Sequence, residues 1–186
     1  MRFRLAAWIA LPLGMMLFAN HPAVAQNPSQ RLLYGLRVGV LAHDIDNVWS
    51  RARNEGGVDA NVELVFDRPS LSVWGGRLLP NIGASINSQK DTSRIYAGAI
   101  WEFLFGLGVF ANAGLGLAVH DGDLDSESEN NKQLGSRVLF RVPFELGICL
   151  GERHRLSIMF DHISNAYLAS PNEGLDTLGV RYGFQF

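Results

Sequence analysis

The chain has 186 residues, of which 47% are hydrophobic and 18% charged, and its formal net charge at pH 7 is -2. This length fits one domain of ordinary size. The near-neutral charge balance provides no field that would gather a polyanion, so nucleic acid is excluded as a partner. The single cysteine, Cys149, excludes an internal disulfide framework and a zinc site with several thiolate ligands.

The N-terminus has the pattern of a secretory signal peptide. Two arginines precede an apolar stretch over residues 5–18, and residues 23–25 (Ala-Val-Ala) supply the small side chains of a cleavage site. We therefore expect a signal peptide over residues 1–25 and a single exported domain over residues 26–186. Beyond the signal, no run approaches the ~20 apolar residues that a membrane-spanning helix needs.

The exported part of the chain alternates between apolar residues and polar residues or glycine, which is the period-2 pattern of strands with two different faces. Eight segments follow this pattern: Leu32–Val40, Val58–Phe66, Leu78–Ile86, Arg94–Phe103, Val109–Val119, Arg137–Leu150, Leu156–Ser164 and Asp176–Phe186. Such alternation occurs both in soluble sandwiches with apolar faces inside and in membrane barrels with apolar faces outside.

Charged residues decide between these two architectures. They recur in the middle of the polar faces, as expected of a small barrel whose interior is filled by paired side chains: Arg37, Glu63, Glu102, Arg141, Glu145 and Arg181. The terminal aromatic residues Tyr182, Phe184 and Phe186 resemble the C-terminal pattern of bacterial outer-membrane barrels. The sequence therefore predicts an all-β fold, an eight-stranded antiparallel transmembrane β-barrel. The long connections 42–57 and 120–133 should then face outward from the cell.

The seventh segment ends in polar residues on its otherwise apolar face. His162 and Ser164 continue the parity of Leu156, Ile158 and Phe160, so we expect them at the outer end of the strand, facing lipid. In the eighth segment the same parity begins at Asp176. A hairpin register that pairs His162 with Asp176 makes every other cross-strand pair chemically sensible.

An acid, an imidazole and a hydroxyl on one surface are the components of a serine hydrolase. His162 is the candidate general base, Ser164 the nucleophile and Asp176 the acid that orients the imidazole. The side-chain amide of Asn165, or the backbone N–H groups of the turn that follows, could stabilise an oxyanion. The G-x-S-x-G elbow of α/β-hydrolases is absent from the sequence. We expect no metal and no organic cofactor, since no His and carboxylate cluster has ligand spacing.

These residues carry a family resemblance. The stretch His162-Ile163-Ser164-Asn165-Ala166, followed by the sequence PNEGLD over residues 171–176, resembles the C-terminal region of the PagL family of outer-membrane lipid A 3-O-deacylases. The resemblance implies that His162 and Ser164 are catalytic, that Asn165 belongs to the oxyanion hole and that Asp176 stands where the family usually has a glutamate. It also implies lipid A of lipopolysaccharide as substrate, in the outer leaflet of the outer membrane among its lipids.

Two other functions remain open at this level. A non-catalytic barrel would serve as an anchor or adhesin, and an acyltransferase barrel would move a phospholipid chain onto lipid A. An acyltransferase barrel needs an acyl-binding cavity in the lumen. The charged residues at the inward positions argue against such a cavity. Glu173 competes with Asp176 as the acid, although we expect Glu173 to be solvated in a turn. Whether the barrel forms a homodimer is also open.

Overall fold

The computed structural model describes residues 32–46, 48–50, 55–67, 72–125 and 131–186. The predicted signal peptide, residues 1–25, lies outside the described residues. The strands are β1 (Leu33–Ala42), β2 (Val58–Phe66), β3 (Ser72–Val73), β4 (Gly76–Asn87), β5 (Arg94–Leu104), β6 (Val109–His120), β7 (Val138–Leu150), β8 (His154–Ser164) and β9 (Leu175–Gln185).

The sheet closes on itself. Each long strand pairs antiparallel with its neighbours around the ring, β1 pairs with both β2 and β9, and β2 pairs with β4. The eight long strands match the eight predicted segments, which confirms the predicted antiparallel barrel. The two-residue strand β3 was not predicted, and it pairs with the start of β4.

The outer wall of the barrel is apolar. The side chains that point outward and stay exposed belong to the predicted apolar parity, and they include Val38, Val40, Val62, Ile82, Ile95, Leu115, Leu117, Phe144, Leu146, Leu156, Ile158 and Val180. This band is what a barrel needs to face hydrocarbon. Among the described residues, no helix is long and apolar enough to cross a bilayer.

The lumen is packed with ion pairs. Arg37 lies 2.8 Å from Glu145, and Arg181 lies 2.6 Å from Glu63. Nearer the site end of the barrel, Arg141 Nε lies 2.8 Å from Asp161. The residues of these pairs are all buried. Because each charge has an oppositely charged partner, the interior is stable as a polar core and keeps the wall in a fixed shape.

The two ends of the barrel differ. One end carries the tight connections 105–108 and 151–153 together with the C-terminal residue Phe186. The other end carries the described residues 43–46, 48–50 and 55–57 between β1 and β2, 88–93 between β4 and β5, 121–125 and 131–137 between β6 and β7, and 165–174 between β8 and β9. After the orientation that the sequence predicts, we name these loops outer loops 1, 2, 3 and 4. Since β8 ends at Ser164 and β9 begins at Leu175, the candidate hydrolase residues lie at this second end.

Candidate active site

His162, Ser164 and Asp176 come together at the end of the last hairpin. His162 and Asp176 are direct partners in the β8–β9 register, as the sequence predicted, and Phe160 pairs with Leu178 one step further along the wall. Ser164 follows His162 by two residues on the same strand and therefore shares its face. The pleat of one strand and the register of one strand pair are thus enough to bring the three side chains together.

The imidazole of His162 bridges the acid and the hydroxyl. Its Nδ1 lies 2.6 Å from Asp176 Oδ1, and its Nε2 lies 3.0 Å from Ser164 Oγ. With the proton on Nδ1 donated to the carboxylate, Nε2 is free to accept the hydroxyl proton of Ser164. Both distances are within hydrogen-bond range, so the arrangement has the geometry of an activated nucleophile.

Outer loop 1 contributes to the site in a way that the sequence did not indicate. The backbone N–H groups of Trp49 and Ser50 both donate to Asp176 Oδ2, each over 2.6 Å. His162 binds the other carboxylate oxygen, so Asp176 is held at both oxygens and is fully buried. Three donors of this kind favour the ionised carboxylate and fix its orientation towards the imidazole.

The indole of Trp49 covers His162. The two rings stack with centroids 4.5 Å apart and an angle of 11° between their planes. Trp49 also stacks on Phe144, with 6.5 Å between the ring centroids. As a result His162 is only 5% exposed, whereas Trp49 is 55% exposed. The expectation that His162 and Asp176 face lipid is therefore wrong in one respect. Both lie on the outward parity, but outer loop 1 folds over them.

Asn165 holds the turn that follows the nucleophile. Its side-chain amide donates to the carbonyl oxygens of Leu134 at 3.0 Å and Pro171 at 2.8 Å, and its backbone N–H donates to Asn172 Oδ1 at 3.0 Å. Both hydrogens of the amide are therefore engaged in fixing outer loops 3 and 4. Backbone N–H groups of the turn remain as the candidate donors to an oxyanion.

Glu173 also joins these two loops. Its carboxylate accepts a hydrogen bond of 2.7 Å from the N–H of Gln133, and its own N–H donates to the carbonyl of Gln133. The expectation that Glu173 is simply solvated is wrong, because the facing loop supplies a partner. Gly135 permits the close approach of outer loops 3 and 4. Its φ is +68°, and a Cβ there would lie 1.9 Å from the carbonyl oxygen of Pro171.

A depression lies in outer loop 4, directly after the nucleophile in the chain. Its volume is about 570 Å³, and it is lined by Gln133 and by residues 167–173. Both polar and apolar residues line it, and Tyr167 and Leu168 are exposed at its side.

A buried polar cluster underlies outer loop 1. His43 Nδ1 lies 2.7 Å from Asp59, its Nε2 lies 2.9 Å from Glu55, and Thr92 donates to Glu55 from outer loop 2 over 3.0 Å. Burial opposes protonation of His43, but the hydrogen bonds to the two carboxylates outweigh it and raise its pKa to about 9. Burial would raise the pKa of Glu55, yet its hydrogen bonds lower it below the ordinary value. The cluster thus holds an imidazolium between carboxylates.

Two further histidines lie at strand ends: His120 closes β6 and His154 opens β8. Within the described part of the chain, no group of three or more His, Cys, Asp or Glu residues is placed to hold a metal ion.

Comparison with known proteins shows the family to which the chain belongs. A family model described as lipid A 3-O-deacylase (PagL) matches residues 54–185. The chain belongs to the PagL family of lipid A 3-O-deacylases. It is therefore an ester hydrolase by family. The lipid A deacylase PagL of Bordetella bronchiseptica is 32% identical over 138 residues, which cover 67% of this chain and 75% of that protein.

Solved structures show the same fold. The crystal structure of the outer membrane enzyme PagL matches with a TM-score of 0.61 at 19% identity, covering 82% of this chain and 99% of that one. The N-terminal β-barrel domain of Pseudomonas aeruginosa OprF matches with a TM-score of 0.56 at 12% identity, covering 83% of this chain and 98% of that one. At these identities the likeness concerns the fold: a closed β-barrel of the outer-membrane type.

Proposed function

We propose that this PagL family member hydrolyses the ester that joins a hydroxyacyl chain to the 3-O position of lipid A, with Ser164 as nucleophile, His162 as base and Asp176 as orienting acid. The observation that carries the proposal is the position of the imidazole, which contacts Asp176 through Nδ1 and Ser164 through Nε2. Membership of the family supplies the substrate class.

The reaction follows from these contacts. Ser164 Oγ attacks the ester carbonyl carbon while its proton moves to His162 Nε2, and the carbonyl oxygen becomes an oxyanion. On collapse, the imidazolium returns that proton to the departing 3-oxygen of the sugar, which leaves an acyl-Ser164 ester. A water molecule, deprotonated by His162, then attacks the acyl carbon. Ser164 regains its proton, and the hydroxy fatty acid is released.

The oxyanion is assigned to backbone donors. Asn165 uses both of its amide hydrogens on Leu134 and Pro171, which argues against direct donation from that side chain. Ala166 and Tyr167 have positive φ values of 52° and 62°, and the N–H of Leu168 donates to the carbonyl oxygen of Asn165 over 3.0 Å, so the chain turns tightly directly after the nucleophile and the backbone N–H groups of this turn are the candidate donors. Asn165 then acts by fixing the turn that presents these groups.

The proposed site faces the outer leaflet on the following grounds. In barrels of this type the longer connections face outward from the cell. Outer loop 1 contacts Asp176, and outer loops 3 and 4 contact Asn165. Exposed aromatic side chains at the same level, Trp49 and Tyr167, suit a membrane–water interface. Ester groups of lipid A lie between the phosphates and the acyl chains, which is the depth at which the end of β8 would lie.

Two alternatives lose support from the structure. An acyltransferase barrel needs a lumenal cavity for a chain, whereas the described lumen is filled by the pairs of Arg37, Glu63 and Arg181 with their partners. A non-catalytic anchor has no use for a buried acid bound by three donors beside a histidine and a serine.

The direct test uses the purified barrel in detergent with lipopolysaccharide. Mass spectrometry of the products should show a free hydroxy fatty acid and lipid A lighter by that one chain. Ser164→Ala should release none while it folds as a barrel. Release of a chain from a different position, or undiminished release by Ser164→Ala, would contradict the proposal.

A further inference from the structure

Outer loop 1 supplies a ring that touches the proposed general base without any bond to it. We propose that Trp49 is a positioning residue for the reaction, which holds the imidazole of His162 in line and stabilises the cation that it becomes. The inference rests on the proposed function, since it assigns Trp49 a role in that same chemistry. It concerns a residue near the first strand, far in sequence from the hairpin that carries the site.

The contact is a flat stack rather than an edge contact. The centroids are 4.5 Å apart and the planes differ by 11°, so the indole covers one face of the imidazole. A ring held between a stacked neighbour and two hydrogen bonds cannot rotate about its χ2 axis without losing contacts. The stack therefore restricts His162 to the orientation in which Nε2 meets Ser164.

The stack also matters electrostatically during the reaction. His162 becomes an imidazolium when it takes the proton of Ser164, and the face of an indole carries negative charge density that attracts a cation. This attraction is absent while the imidazole is neutral, so it stabilises the charged state selectively. An interaction that strengthens as the proton moves raises kcat rather than substrate affinity.

The segment of outer loop 1 that carries Trp49 also binds the acid Asp176, so it positions both the acid and the base. The N–H groups of Trp49 and Ser50 bind Asp176 Oδ2, so the backbone that carries the indole also fixes the carboxylate. Ser50 contributes through its backbone: within the described residues its Oγ is buried without a hydrogen-bond partner. One short segment of outer loop 1 thus contacts both the base and the acid.

Comparison of Trp49→Leu with Trp49→Phe distinguishes the effect of an aromatic face over His162 from the effect of side-chain volume alone. Trp74→Leu is the matched control, because Trp74 is also exposed but packs on Trp101 at the opposite end of the barrel. Heat-modifiable migration on gels first shows that each variant is a folded barrel. Two readouts follow: kcat and KM for release of fatty acid from lipopolysaccharide, and the rate at which a fluorophosphonate labels Ser164.

We expect Trp49→Leu to lower kcat and the labelling rate by about 10-fold with KM changed little, and Trp49→Phe to keep most of both rates. Trp74→Leu should match the unaltered protein. Equal rates for Trp49→Leu and the unaltered protein, equal losses in Trp49→Leu and Trp49→Phe, or a change in KM alone would overturn the inference. If the unaltered protein labels at Ser164 but leaves lipopolysaccharide intact, the proposed substrate fails, while the labelling rates still decide the role of Trp49.

Discussion

Asp161 and His162 are neighbours in β8 whose side chains leave the sheet on opposite faces. Asp161 points into the lumen, where it lies 2.8 Å from Arg141 and 3.2 Å from Arg94. His162 points outward to Asp176 and Ser164. Buried ion pairs on the lumenal face therefore fix the strand segment that presents the candidate base. Positioning on a rigid strand in this way reduces the reorganisation that the reaction needs.

Removal of the nucleophile or the base should abolish activity without unfolding the barrel. Ser164→Ala and His162→Ala each delete a group that makes no contact with the lumenal ion pairs. We expect loss of fatty acid release in both variants, with the heat-modifiable gel migration of a folded barrel retained. Failure of either variant to assemble would show that the residue is structural, and full activity in Ser164→Ala would remove the nucleophile from the account.

The identity of the acid can be tested with a matched pair of carboxamide substitutions. Asp176 contacts His162, whereas Glu173 binds the backbone of Gln133. An acid that sets the tautomer of the base is worth up to ~10⁴-fold in rate. Asp176→Asn should therefore lower kcat at least ~100-fold, and Glu173→Gln by only a few fold. The reverse ranking in steady-state kinetics would mean that outer loop 4 supplies the acid.

The length of the acidic side chain at position 176 leads to a further prediction. The aspartate already reaches Nδ1 at 2.6 Å while two loop N–H groups hold its other oxygen. Asp176→Glu adds a methylene to a fully buried group, so it should displace outer loop 1 and lower kcat, although less than Asp176→Asn does. Kinetics of the two variants side by side check this order, and an unchanged kcat in Asp176→Glu would contradict it.

The outer wall should not tolerate charge at mid-height. Ile158 is exposed on the outward face near the middle of β8, so Ile158→Arg should lower the free energy of unfolding by about 2–4 kcal/mol in lipid bilayers. Leu150→Arg is the control, because Leu150 ends β7 near the barrel rim, where the cost is about 0–1 kcal/mol. Urea titrations in vesicles measure both values. Equal costs at the two positions would contradict the membrane span inferred here.

The buried His43 should make stability depend on pH. Its folded pKa, about 9, is raised above the ordinary value of 6.5 because Asp59 and Glu55 accept its hydrogen bonds. Its protonation therefore stabilises the fold fully below about pH 6.5, and this contribution, on the order of 3 kcal/mol, is lost as the pH rises through 9. Unfolding titrations at pH 6 and pH 10 should show the decrease in the unaltered protein and a smaller one in His43→Gln. An equal pH dependence in both would rule out His43 as its source.

The period-2 pattern was sufficient to predict the barrel and its last hairpin. Alternation at Ile158 and Val180 fixed which face is apolar, and extending that parity to His162 and Asp176 gave the observed register. Strand pairing between sequence neighbours is local, so a pattern of side chains determines it.

The cover over the site could not be predicted in this way. Trp49 and Ser50 reach Asp176 from the loop after β1, which pairs with β9 although the two strands lie at opposite ends of the sequence, and no periodicity relates loop residues to such a neighbouring strand. The partner of Glu173 was missed for the same reason, because Gln133 lies in another loop. Contacts between loops depend on how the closed barrel brings their ends together, which the alternation of single strands does not encode.

In the proposed reaction, Ser164 removes one ester-linked hydroxyacyl chain from lipid A in the outer membrane. The most direct measurement is mass spectrometry of lipid A extracted from bacteria that express the unaltered protein or Ser164→Ala, beside cells that express neither. Lipid A should be lighter by one hydroxyacyl chain only with the unaltered protein. A gain in mass by one acyl chain, identical lipid A in all three samples, or the same loss with Ser164→Ala would contradict it.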